Sequence, residues 1–212
     1  MTVPLRERRR QLLRDEILQA AAALLNEKGY AAMSMDELAG RAGISKPTLY
    51  QLFATKEDLL LAAVMHGFDE VEQAVASDPT PRTPLQQLTF ILRTVIRMQI
   101  EGGALAPRPW SPEVFQIIRQ REEVLARLRQ IDAAVIELVS AGMRAGEIDA
   151  RLDPATVARA FFALVNTLHS PFARLVLPLD QAGPDGCQAP PLQPEAAAET
   201  LAMIFEQGLR AR

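Results

Sequence analysis

A short run of polar side chains at residues 45–51 holds most of the chemistry this sequence offers. Within SKPTLYQLF, Lys46, Thr48, Tyr50 and Gln51 fall inside two helical turns behind Ser45. Serine at an N-cap satisfies one free backbone N–H. The remaining N–H groups and the positive dipole end suit anions such as phosphate oxygens. A cation, hydroxyls and an amide on one outward face are groups that hydrogen-bond phosphates and base edges. The major groove of duplex DNA is about 12 Å wide and admits one such helix. Singly, Tyr50 is as well explained by a ring packed on a helix surface, and Ser45 by capping alone. Their joint spacing favours nucleic-acid recognition.

Other chemistries lack their residues. No Gly-rich phosphate loop, nucleophile elbow or metal-ligand cluster is present. The acidic pairs Asp36-Glu37, Glu57-Asp58 and Glu122-Glu123 stand at helix starts or polar faces, where carboxylates favour the dipole. A lone Cys187 with two histidines makes neither an internal disulfide nor a structural zinc site. We therefore expect no enzyme, no metal and no cofactor. The competing non-catalytic reading is a helical protein-interaction module without DNA binding.

The elements that must position residues 45–51 read as helices. Leu13, Ile17, Ala20 and Leu24 draw one apolar stripe on a helix from about Pro4 to Lys28, and Gly29 follows where a left-handed C-cap is usual. Ser34 with Glu37 three residues on is a capping-box pattern for a helix from Met35 to about Ala42. Gly43 breaks it, and Ser45 caps the next, to about Leu52. Leu38, Ala39, Ala42, Ile44, Leu49 and Phe53 would pack this pair on the first helix. Thr55 opens a longer helix to about Ser77. After DPTPRTP (78–84), a boundary by its three prolines, helices are predicted at 84–101, 112–119, 122–145, 154–177 and 194–211. Residues 178–194 read as a long mobile loop. No alternating strand pattern occurs, so the fold class is all-α, about nine helices.

With 212 residues the chain can bury roughly 70% of its unfolded surface without staples. The longest apolar run, Leu59 to Met65, is far short of the roughly 18 residues a membrane helix needs. No secretory signal is apparent, and a cytoplasmic location is expected. The net charge of −3 divides into +1 for residues 1–60 (nine basic, eight acidic) and −4 for 61–212 (fourteen basic, eighteen acidic). Five of the basic residues are Arg6, Arg8, Arg9, Arg10 and Arg14. They read equally well as phosphate or minor-groove contacts and as a solvated helix end.

From Ile17 to Leu60 the sequence resembles the DNA-binding domain of the TetR family. The match runs through Gly29-Tyr30, the turn Ala42-Gly43-Ile44-Ser45, the core Thr48-Leu49-Tyr50, Phe53, and Lys56-Glu57-Asp58-Leu59. Many members carry glycine where Pro47 stands, and proline early in a helix is acceptable. The resemblance implies that Ser34 caps its helix and touches a phosphate, and that Lys46, Pro47 and Thr48 lie at the major groove. It implies phosphate contacts from Tyr50 and Lys56. It further implies a helix-turn-helix domain over 1–60, with its motif at about 34–53, and a helical effector-binding and dimerisation domain over 61–212. The partners would be a palindromic double-stranded operator, a second copy of the chain, and a small-molecule effector that releases a repressor. The sign of regulation, repression or activation, is left open.

Beyond residue 84 the resemblance is architectural. Ala197, Leu201, Ile204, Phe205 and Gly208, with Val157, Phe161, Leu164, Val165, Leu168 and Phe172, supply two helices suited to a dimer interface. Met98, Trp110, Phe115, Phe162, Asn166 and His169 combine bulky and polar groups suited to an apolar or amphipathic ligand. A packed core with a satisfied His–Asn pair is the alternative. His66 is assigned to surface or core as readily as to a pocket.

Overall fold

The computed structural model describes residues 4–101, 111–167 and 193–211. These hold nine helices: α1 Leu5–Ala32, α2 Met35–Arg41, α3 Lys46–Leu52, α4 Lys56–Ala76, α5 Pro84–Ile100, α6 Pro112–Arg119, α7 Glu122–Arg144, α8 Pro154–Val165 and α9 Pro194–Leu209. Among the described residues there is no strand, only an isolated bridge between Ile148 and Arg210. None of these helices is long and apolar enough to cross a membrane.

The chain forms two compact units that interleave in sequence. The first takes Met1–Gln73 and Met98–Leu125, the second Ala74–Arg97 and Ala126–Arg212. In the first, α1 buries Ile17, Leu18, Ala21, Ala22, Leu24 and Leu25, a wider stripe than the four-residue spacing predicts; Leu13 and Ala20 are only half-buried. Gly29, at φ +77°, breaks the helical path of α1, so the regular helix stops where the glycine predicts. Leu38, Leu49, Phe53, Leu59 and Leu60 complete this core. Each large aliphatic side chain so buried contributes about 1.5–3 kcal/mol relative to exposure.

In the second unit α5 buries Leu88, Leu92 and Ile96, α7 Val135 and Val139, α8 Val157 and Phe161, and α9 Ala202 and Phe205. Glu147 accepts from the Leu85 N–H at 3.1 Å, satisfying an orphan donor at the start of α5. The proline-rich 78–84 segment is tied down. Asp78 accepts from Thr80 N–H at 3.0 Å and from Arg82 at 2.6 Å, and Arg82 stacks 3.6 Å over the Phe90 ring.

One boundary departs from the periodicity. A helix over 154–177 is predicted, but α8 closes at Val165 with Asn166 as its C-cap. The Asn166 amide donates 2.7 Å to the Phe162 carbonyl, a side-chain bond that competes with continuing the helix. Residues 168–177, the 178–194 loop and Cys187 lie outside the described residues.

Candidate nucleic-acid interface

Everything that positions α3 begins with two caps and one turn. Ser34 Oγ accepts from Glu37 N–H at 3.1 Å, which starts α2. The expected capping box is only half formed, because the Glu37 carboxylate lies 2.5 Å from Lys28 Nζ on α1. Arg41 grips Glu27 of α1 through both fork nitrogens, at 2.8 and 2.6 Å. That bidentate bond holds Glu27 below its usual carboxylate range and raises Arg41. Two ion pairs thus bolt α2 onto α1.

Gly43, at φ +66°, turns the chain between α2 and α3. Ile44 N–H bonds to Ala39 carbonyl at 3.0 Å across this turn. Ser45 Oγ then accepts from Thr48 N–H at 3.3 Å, and the two hydroxyls lie 2.7 Å apart. With Pro47 in its first turn, α3 needs no donor there. Leu49 and Phe53 anchor the helix in the core, at 0% and 3% exposed. Ala42 and Ile44, expected in the same core, are half-buried.

The opposite face of α3 is left to solvent. Ser45, Lys46, Pro47 and Gln51 are exposed, Thr48 is half-buried, and Tyr50 is 41% exposed. Lys46 Nζ sits 2.6 Å from Asp36 of α2, and that bond raises the lysine's pKa. Lys56 is turned inward: its Nζ lies 4.4 Å over the Tyr30 ring and donates at 3.4 Å to the Ala31 carbonyl. Burial lowers its pKa. On α1, Arg14 stacks 4.7 Å over the ring of Phe53, which caps α3. Sequence spacing did not single out Asp36, Tyr30 or the Arg14–Phe53 stack, because each depends on which helix faces collide.

A cap–turn–cap arrangement carrying an exposed polar face on a packed second helix defines the helix-turn-helix class of proteins. Residues 17–63 match the family model described as bacterial regulatory proteins, tetR family. Residues 81–172 match a second, described as a tetracyclin repressor-like C-terminal domain. Together they cover more than half of the chain, which belongs to the TetR family. The HTH-type transcriptional activator FasR of Mycolicibacterium smegmatis is 44% identical over 62 residues, 29% of this chain and 28% of that protein. The HTH-type transcriptional repressor KstR of Rhodococcus jostii is 34% identical over 84 residues, 40% of this chain and 39% of that one. The match therefore spans less than half the length of either relative. The crystal structure of AibR in complex with isovaleryl coenzyme A and operator DNA is similar with a TM-score of 0.64 and 25% identity, over 91% of this chain and 97% of that one.

The residues expected to line an effector site are shared between the two compact units. Met98, half-buried, and Phe115, 50% exposed, belong to the first compact unit. Phe162 and Asn166 belong to the second, where Phe162 meets Phe161 edge-on with ring centres 5.5 Å apart. Asn166 is exposed. Trp110 and His169 lie outside the described residues. His66 does line a cavity of about 480 Å³ within the first unit, together with Gln11, Arg14 and Asp69. Its Nε2 is 3.4 Å from Glu70 Oε1 but is too poorly aligned to hydrogen-bond.

Proposed function

We propose that this protein is a DNA-binding transcriptional repressor that grips a near-palindromic operator as a homodimer and is released by a small apolar or amphipathic effector. The carrying observation is α3. It is anchored by Leu49 and Phe53, presents Lys46 and Tyr50 to solvent with Thr48 half-buried, and falls within the residues that match the family model.

The roles proposed for its residues are those the family resemblance implies, and the exposure of α3 supports them. Lys46, exposed and held by a carboxylate that a phosphate can replace, supplies a mobile cation. Thr48 offers a hydroxyl and Pro47 an apolar edge to bases, while Tyr50 and the Ser34 and Ser45 caps meet phosphates. Lys56, clamped on Tyr30, sets the end of α1 against the start of α4 and turns outward only if a phosphate displaces that contact. Residues 1–60 act as the reading domain and 61–212 as the effector-binding and dimerisation domain.

An amphipathic effector accords with the isovaleryl coenzyme A bound by AibR. Release requires that the effector bind the DNA-free state more tightly than the bound one. Met98, Trp110, Phe115, Phe162, Asn166 and His169 are the residues to substitute in locating it. Activation on the same fold is the second reading, because FasR is an activator.

Selection of bound fragments from the source genome tests the reading. The expected product is one shared palindrome, bound at least ten-fold more weakly by Lys46→Ala and measurably more weakly by Tyr50→Phe. Unchanged binding by both variants would leave the interaction-module reading in its place. A promoter–reporter fusion to the palindrome then decides between repression and activation.

A further inference from the structure

The first turns of α1 carry a charge pattern that the fold itself does not use. Residues 4–12 are all exposed, including Leu5 at 64% and Leu12 at 57%. Arg6, Arg8, Arg9 and Arg10 make no ion pair with any described residue. Four arginines at a helix start oppose the macrodipole, and Glu7 is the only acid in the first turn. A helical segment that breaks its local rule without a compensating contact points to an external partner.

The arginines are also directed. At about 100° per residue, Arg6, Arg10 and Arg14 form one row at i, i+4 and i+8. That row continues the face on which Leu18, Ala21 and Leu25 are buried further along α1. Arg14, the innermost, is fixed over Phe53 at the end of α3. Arg10 and Arg6 stand about 6 and 12 Å further along the α1 axis from Arg14. Arg8 lies about 160° around the helix from both. Phosphate rows border the groove, so cations carried on a helix fixed to a groove-bound α3 are placed to take backbone outside the base pairs it reads.

We propose that the row Arg6–Arg10–Arg14 is a second DNA-binding surface, taking duplex phosphates that flank the site read by α3 without reading their sequence. This rests on the reading of α3 given above. Duplex DNA is the occupant because the row is purely cationic, the exposed Leu5 and Leu12 stand about 100° or more around the helix from it, and it is indexed by Arg14 to the reading helix.

Titrating salt against affinity for the selected palindrome tests this. Each phosphate released lowers the slope of log affinity against log salt by about 0.9. The double variant Arg6→Ala/Arg10→Ala is expected to lose about 2 or more from that slope. Its preference for the palindrome over a scrambled duplex should not change, and neither should its helix content. Arg6→Lys/Arg10→Lys should restore the slope, and Arg8→Ala should hardly move it. Trimming the duplex at both flanks should weaken the wild type and leave the double variant nearly unaffected. An unchanged slope in the double variant, or an equal loss in Arg8→Ala, overturns the row while leaving the reading of α3 intact. A wild type that enriches no palindrome overturns both.

Discussion

On the proposed reading, Lys46 serves the free protein through one ion pair and is held ready for a phosphate. Its pair with Asp36 is exposed on both sides, 54% and 66%, so water screens it and a phosphate displaces it readily. Asp36 also places a negative charge beside the surface proposed to meet DNA. Asp36→Asn should therefore tighten binding to every duplex several-fold while narrowing the preference for the palindrome, measured by fluorescence anisotropy on matched and scrambled duplexes. Gly43 is a different kind of requirement. A Cβ there meets nothing within 4 Å, so the constraint is the φ of +66° alone. Gly43→Ala should cost about 1–2 kcal/mol in urea unfolding, and Gly43→Asn less. The glycine and both serine caps were legible in the sequence because their constraints are local. Asp36 and the Tyr30–Lys56 stack were not, since they arise only when α1, α2, α3 and α4 are packed.

Helix ends follow the same division. Caps at Ser34, Ser45 and Thr55 start helices where the sequence predicts them; Thr55 Oγ1 accepts from Asp58 N–H at 3.0 Å. The end of α8 was illegible because its apolar spacing runs on past Asn166, and a single amide bond stops it. The proline-rich segment 78–84 reads as a boundary, yet the Thr80 and Arg82 contacts hold Asp78 down at about 2 from an ordinary 3.8. A depressed carboxylate stabilises the fold fully above its unfolded value and loses that contribution as pH falls through the folded one. Asp78→Asn should thus be less stable than wild type at neutral pH and match it near pH 2, as followed by thermal melts across that range. On α7, a Cβ at Gly142 would stand 2.7 Å from Ile148 Cδ1, and Ile148 is 1% exposed with little room to yield. Gly142→Ala should cost about 1–3 kcal/mol by overpacking, read by the same unfolding assay.

For the whole molecule, the all-α architecture and its nine described helices were readable from periodicity together with caps, glycines and prolines. The interleaving of the two compact units was not, because residues 98–125 join the N-terminal unit from far along the chain. The proposed homodimer belongs to this scale. Met203 and Ile204 on α9 are 48% and 58% exposed, an apolar pair on a helix suited to a symmetric interface. Ile204→Glu should shift sedimentation from dimer to monomer and sharply weaken palindrome binding, while leaving half-site contacts chemically intact. Whether α3 reads duplex DNA is decided by a competition titration. A labelled selected palindrome is displaced by unlabelled palindrome or by the same bases in scrambled order, at one fixed salt concentration. A preference of at least about 10³-fold for the palindrome is expected, falling sharply in Thr48→Ala, which removes the proposed base contact, while Lys46→Ala weakens binding to both duplexes. Equal competition by both duplexes would contradict that reading of α3.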